Sequence, residues 1–123
     1  MIIPKNLYYT KNHLWLRKIG LCDFCIGITD FAQKEIGEID LIELNVDEKR
    51  LLESASWGVI YGTNATFSLV APCEFEITTL NTFLNTHPSQ VNLDPYNFWL
   101  VSISAKIYTQ ELLTHEEYLK LIL

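Results

Sequence analysis

Apolar residues recur at every second position along much of this chain, in short runs rich in β-branched and aromatic side chains. That period belongs to strands with one buried face, and it confines the fold to a class that is mainly β. Leu14 with Leu16 and Ile39 with Leu41 fall in such runs, and Trp57 to Ile60 is dense in strand-forming residues. The pattern predicts strands near Tyr8 to Tyr9, His13 to Lys18, Cys22 to Ile28, Glu38 to Leu44, Trp57 to Tyr61, Thr66 to Val70, Glu74 to Thr79 and Trp99 to Ile107. Between two of these runs stand Gly62, Thr63, Asn64 and Ala65. Gly and Asn both tolerate the positive φ that a tight hairpin demands, which places Asn64 at or near a hairpin tip.

Two short helices are expected. One runs from Asp30 to Ile36 over one edge of the sheet: Thr29 or Asp30 can cap it, Gln33 can bond back, and Gly37 can adopt the left-handed stop. The other runs from Thr114 to Leu121, with Thr114 as cap and Glu116 and Glu117 in the first turn, where negative charge suits the helix dipole. Tyr118, Leu121 and Ile122 make its apolar stripe. Gly and Pro are scarce and no repeat or low-complexity tract interrupts the chain, so residues 1–123 are expected to form one domain.

At 123 residues, 49% of them hydrophobic, such a chain can bury a core without metals or disulfides. Its 9 Lys and Arg against 15 Asp and Glu leave a net charge of -6. A surface of that sign repels phosphate backbones and anionic lipid, which argues against nucleic-acid and membrane partners. No apolar run is long enough to cross a bilayer, and Met1 to Thr10 lacks the basic start and apolar stretch of a secretory signal. A soluble cytoplasmic protein is the expectation. Cys22, Cys25 and Cys73 then read as free thiols serving as small apolar side chains in a core.

Five strings are more specific: Tyr9-Thr10-Lys11-Asn12-His13-Leu14-Trp15, Gly27-Ile28-Thr29-Asp30-Phe31-Ala32-Gln33, Gly37-Glu38-Ile39 leading to Glu43-Leu44, Val91-Asn92-Leu93-Asp94-Pro95-Tyr96, and Trp99-Leu100. Each alone is weak, but in this order and spacing the chain resembles the H protein of the glycine cleavage system from about Tyr8 through the C-terminal helix. The resemblance implies a lipoyl-domain-like barrel-sandwich hybrid of short antiparallel strands, with a short internal helix, a C-terminal helix and the modification site on a hairpin turn. The independent strand pattern agrees with it.

In the family, the segment before Ala-Pro carries the lysine that bears the lipoyl arm. Here that segment is Gly58-Val59-Ile60-Tyr61-Gly62-Thr63-Asn64-Ala65-Thr66-Phe67-Ser68, ending at Ala71-Pro72, and the lysine position holds Asn64. A lipoyl arm forms by attack of a lysine amine on an activated carboxyl, and an Asn side chain, already an amide, offers no nucleophile. Asn64 is therefore expected to be unmodified, with no cofactor there. Lys5, Lys11, Lys18, Lys34, Lys49, Lys106 and Lys120 all lie outside the hairpin. Flanking positions also depart: Tyr61 stands for an acid, Gly62 and Thr63 for Ser-Val, and Phe67 and Ser68 near the usual Asp. Phe75 and Asn97 stand where the family places Gly, which would change local turn geometry.

Other groups carry weaker chemistry. Cys22-Asp23-Phe24-Cys25 has redox-pair spacing, but in a strand residues three apart point to opposite faces, so packing is the expectation. His13, His87 and His115 lack metal-ligand spacing, and His13 reads as a structural residue beside Trp15. Asn64-Ala65-Thr66 matches a glycosylation acceptor, which matters only for exported chains. Trp57, Tyr61 and Phe67 are expected to be core aromatics, although with Asn64 they could line a small-molecule site. Asp30, Glu35, Glu38, Asp40 and Glu43 read as a solvated face or as a docking surface for a basic partner. No phosphate loop, nucleophile elbow or paired catalytic acid occurs in a supporting context, so no enzyme activity is expected.

Two functions follow from the resemblance. The first is a non-catalytic binding or regulatory protein, lacking a lipoylation site, that engages a lipoate ligase, dihydrolipoyl dehydrogenase or aminomethyltransferase through the inherited surface. The second is the family's aminomethyl-lipoyl carrier, which here would need an unconventional acceptor.

Overall fold

The computed structural model describes residues 1–44 and 49–123. In chain order the elements are β1 (Tyr8–Tyr9), β2 (Leu14–Lys18), β3 (Asp23–Ile28), α1 (Asp30–Ile36), β4 (Ile39–Leu44), β5 (Arg50–Leu51), β6 (Ser56–Gly62), β7 (Thr66–Val70), β8 (Phe75–Leu80), α2 (Gln90–Leu93), β9 (Val101–Ser104) and α3 (His115–Ile122). One sheet has the order β1-β2-β3-β9-β8-β5 and the other β4-β6-β7. Leu14, Leu16, Phe24, Ile26, Val101 and Ile103 of the first meet Ile42, Ile60 and Leu69 of the second in one buried cluster. The fold is therefore mainly β, as the alternation predicts, and a barrel-sandwich hybrid, as the family resemblance implies.

β2 is buried on both faces. Leu14 and Leu16 enter the main core, whereas Trp15 points the other way into a second cluster with Leu7, Tyr9 and Tyr118. This second cluster seats α3, whose Tyr118 ring stacks on Tyr9 with centroids 4.7 Å apart. Thr114 caps α3 by accepting from Glu117 N–H, and the Glu117 carboxylate accepts from Thr114 N–H in return. In α1, Thr29 accepts from Ala32 N–H and Gly37, at φ 81°, ends the helix. Gln33 does not bond back to the cap: its amide donates to Asp30 Oδ1 at 2.7 Å.

Several sequence expectations are corrected by packing. Register slips between Ile39 and Leu41 in β4, so Asp40 and Leu41 both face outward and Ile42 takes the inward place. Leu121 is 49% exposed and does not join Tyr118 in the core. The last strand is shorter than predicted, Val101–Ser104, because its partners Asp23–Ile26 and Glu76–Leu80 end there. β5, α2 and two 3-10 turns, Thr82–Asn85 and Thr109–Glu111, carry no period long enough to read. Phe75 is a buried residue of β8 packed edge-on to Trp57, so its departure from Gly serves the core. Asn97 closes a local turn, its N–H donating to the Asp94 carbonyl at 3.1 Å.

Candidate functional site

The β6–β7 hairpin pairs Ile60 with Phe67 and Tyr61 with Thr66. Gly62 N–H then donates to the Ala65 carbonyl at 3.1 Å, leaving Thr63 and Asn64 as the tip. Both tip residues are exposed. The tip is docked on the C-terminal end of α1, where helical carbonyls lack intrahelical donors. Asn64 N–H and Ala65 N–H both donate to the Ile36 carbonyl, at 2.9 and 3.3 Å, and Thr63 N–H donates to the Glu38 carbonyl at 3.0 Å. Thr63 Oγ1 accepts from Glu38 N–H at 3.1 Å.

Asn64 is thus where the sequence places it, but for a different reason. Among the described residues, positive φ occurs at His13, Ser54 and Gly37, not at Gly62 or Asn64. Gly62 is required by close approach: a Cβ there would overlap Ile36 Cγ2 and the Ile36 carbonyl. Gly37 is required twice, since a Cβ would overlap Thr63 Oγ1 and crowd the Asn64 amide. The Asn64 side chain therefore lies back over Gly37.

Asn92 of the segment before Pro95 fixes the corner beneath the tip. Its Oδ1 accepts from Ile39 N–H at 2.9 Å, and its Nδ2 donates to the Gly37 carbonyl at 2.8 Å and to Gln33 Oε1 at 2.9 Å. The chain of contacts continues through Gln33 to Asp30, which accepts from Ile2 N–H at 3.1 Å and pairs with Lys34 at 3.4 Å. Burial pushes the Asp30 carboxyl up, but Gln33, the Ile2 N–H and Lys34 outweigh it and hold the carboxyl below its ordinary value. Asp30 N–H in turn donates to Tyr96 Oη at 2.9 Å. Trp15 Nε1 and Arg17 Nη2 donate to the Pro95 and Tyr96 carbonyls, at 3.0 and 2.8 Å. Four of the five sequence strings are therefore joined by hydrogen bonds into one frame under the hairpin. Nothing in the sequence isolates the roles of Asn92, Thr63 and the Ile36 carbonyl, because each is a long-range backbone partnership.

The other sequence candidates fall elsewhere. His13 holds φ 65°, donates its N–H to the Thr10 carbonyl, and sets Nδ1 2.9 Å from Tyr118 Oη, which lies 2.7 Å from Thr29 Oγ1. Burial pushes its imidazole pKa down, against a smaller opposing pull from Glu35. His87 stacks on Phe83 and His115 opens α3, so the three histidines do not converge. Cys22, Cys25 and Cys73 are free thiols, but each is half-buried rather than a core residue, and Cys22 precedes β3 instead of entering it. No group of metal-ligating side chains large enough to hold an ion occurs among the described residues.

Trp57 is fully buried, whereas Tyr61 and Phe67 are half-buried, so the aromatics divide between core and surface and do not converge on Asn64. Asp30 leaves the acidic face for the interior; Glu35, Glu38, Asp40 and Glu43 remain exposed. No helix among the described residues is long and apolar enough to cross a membrane.

Residues 7–123 match the family model described as glycine cleavage H-protein. The glycine cleavage system H protein of Chlorobium chlorochromatii is 38% identical over 105 residues, covering 85% of this chain and 83% of that protein. That of Carboxydothermus hydrogenoformans is 37% identical over 124 residues, covering 98% and 95%. The crystal structure of a glycine cleavage system H protein from Mycobacterium marinum is similar at a TM-score of 0.85 and 27% identity, covering 96% of this chain and 97% of that one.

Proposed function

The chain belongs to the glycine cleavage H-protein family, and from that premise we propose that it keeps the carrier's enzyme-docking body without a lipoyl acceptor at the hairpin tip. Proteins of this family are not themselves catalysts; they work with the glycine cleavage enzymes. The observation that carries the reading is Asn64, exposed at the tip where the family resemblance places the modified lysine. An amide side chain does not fit a group that is held through a lysine nitrogen, so no carrier step is assigned to this residue. What remains available for recognition is the tip itself, its frame, and the exposed carboxylates Glu35, Glu38, Asp40 and Glu43. In this reading the protein is a cytoplasmic binding or regulatory partner of a lipoate ligase, dihydrolipoyl dehydrogenase or aminomethyltransferase.

The relatives favour the second reading, an aminomethyl-lipoyl carrier, more directly than they favour regulation, since those cited are named as glycine cleavage system H proteins. That reading needs an acceptor other than position 64. Lys34 is one candidate: it lines a cleft with Gly37, Glu38 and Asn92, the corner on which the tip is docked, although its amine is paired with Asp30. Intact-mass and peptide mapping of the protein purified from cells grown with lipoate separates the two. An unmodified mass, together with capture of one of the three named enzymes, is the expected result. A lipoyl group on any lysine overturns the first reading, and its position identifies the acceptor.

A further inference from the structure

The opposite end of the hairpin holds a cavity that the tip does not explain. β7 carries the chain from the tip to Ala71, roughly 20 Å away at about 3.3 Å per strand residue. There Ala71, Pro72 and Cys73 face Ser54 on one side and the C-terminal segment, Ile107, Leu113 and Leu121, on another, around a space of about 670 Å³. That volume is in the range of small-ligand sites.

Three features of the lining point to an occupant. Leu121 belongs to an amphipathic helix, yet it turns an exposed apolar side chain to the cavity while Tyr118 and Ile122 go to the core behind Trp15. Ser54, at φ 69°, is one of two non-glycine residues with positive φ among the described residues, a conformation held at some cost. Glu53 and Glu111 line the space, and among the described residues neither has an ion-pair partner within 4 Å. Glu117 and Lys120 also line it, one turn apart on α3, where each offsets the other's charge, and Lys11 lines it from the segment between β1 and β2, so three carboxylates face two ammonium groups.

Around Cys73 the carboxylates prevail. Burial first, and then Glu111, Glu53 and Glu74, push the Cys73 thiol up to about 11. Cys73 is therefore a neutral thiol with no nucleophilic role, in a place that attracts positive charge. The cation is not a metal, because the described residues there form no group able to hold one.

We propose that this cavity binds a small aliphatic primary amine, an apolar amino acid or its amide, with the ammonium group between Glu53 and Glu111 and the alkyl body against Pro72, Leu113 and Leu121. The site stands apart from the tip and is independent of whether the chain carries a lipoyl group.

The test uses the full ¹⁵N-labelled chain and three probes of matched shape: leucinamide, leucine and 4-methylpentanoate. Both amines are expected to give saturable shifts at the Ser54, Cys73 and Glu111 amides and none at Asn64, while the carboxylate probe gives none. Glu53→Gln or Glu111→Gln, at exposed positions, is expected to weaken leucinamide binding about tenfold, the effect of losing one charge-assisted hydrogen bond. Absence of saturable shifts with leucinamide at roughly ten millimolar, the weak end of specific binding, overturns the proposal. So does equal binding of 4-methylpentanoate, or unchanged affinity in both glutamate variants.

Discussion

Asn64 is held by its main chain, through the N–H donated to Ile36, while its side chain is exposed. Replacing it with lysine should leave the tip in place, yet the flanks Tyr61, Gly62 and Thr63 still differ from the modified pattern of the family. Asn64→Lys incubated with a bacterial lipoate ligase and lipoate is accordingly expected to stay largely unmodified by intact mass. Efficient modification would show that the flanks do not matter. Gly37 is the opposite case. Its φ of 81° and its contact with Thr63 and Asn64 leave no room for a Cβ. Gly37→Ala should destabilise the protein by about 2 kcal/mol or more in urea unfolding. His13 gives a pH signature. Its folded pKa lies below the ordinary 6.5 because burial disfavours the imidazolium, so the unfolded chain binds the proton more tightly. Stability is full above pH 6.5 and declines as pH falls below it toward the folded value. In His13→Asn, which tolerates the positive φ, that slope should flatten; an unchanged slope in urea midpoints between pH 7 and 5 would assign it to another group.

Among elements, the α1–β4 corner is the one that positions the tip, and Asn92 closes it with three hydrogen bonds. Asn92→Ala leaves Ile39 N–H and the Gly37 carbonyl without that partner, at a cost of about 3 kcal/mol. Hydrogen exchange at the Asn64 and Ala65 amides should accelerate beyond that of β2 and β3; uniform acceleration would make Asn92 a general stabiliser only. Elements with strong local signals were legible from the sequence. α1 runs Asp30–Ile36 as its cap and stop predict, and β7 runs Thr66–Val70 as its alternation predicts. The sequence could not disclose the slip in β4, because Ile39 and Leu41 alternate on paper and only pairing with β6 turns Leu41 outward. Leu121 failed for a similar reason: the helical period places it on the apolar face with Tyr118 and Ile122, but those two fill the second core cluster and Leu121 borders the cavity instead. At the site, the position of Asn64 was readable from its neighbours, whereas its docking on Ile36 depends on residues 28 apart in the chain.

For the molecule as a whole, a net charge of -6 and the exposed Glu35, Glu38, Asp40 and Glu43 on the α1–β4 side make association with a basic partner surface electrostatic in its approach. Its association rate should fall steeply between about 0.05 and 0.5 M salt with a smaller change in dissociation rate. A salt-independent association rate in stopped-flow would remove these carboxylates from the encounter. The twin donation of Asn64 and Ala65 N–H to one helical carbonyl has a further, evolutionary consequence. Amide protons are common to nearly every amino acid, so selection for folding is almost blind to which residue occupies position 64. Drift can erase or rewrite the chemistry of the tip in one codon change while the architecture around it persists, and lineages with this scaffold can part ways in task without parting ways in shape.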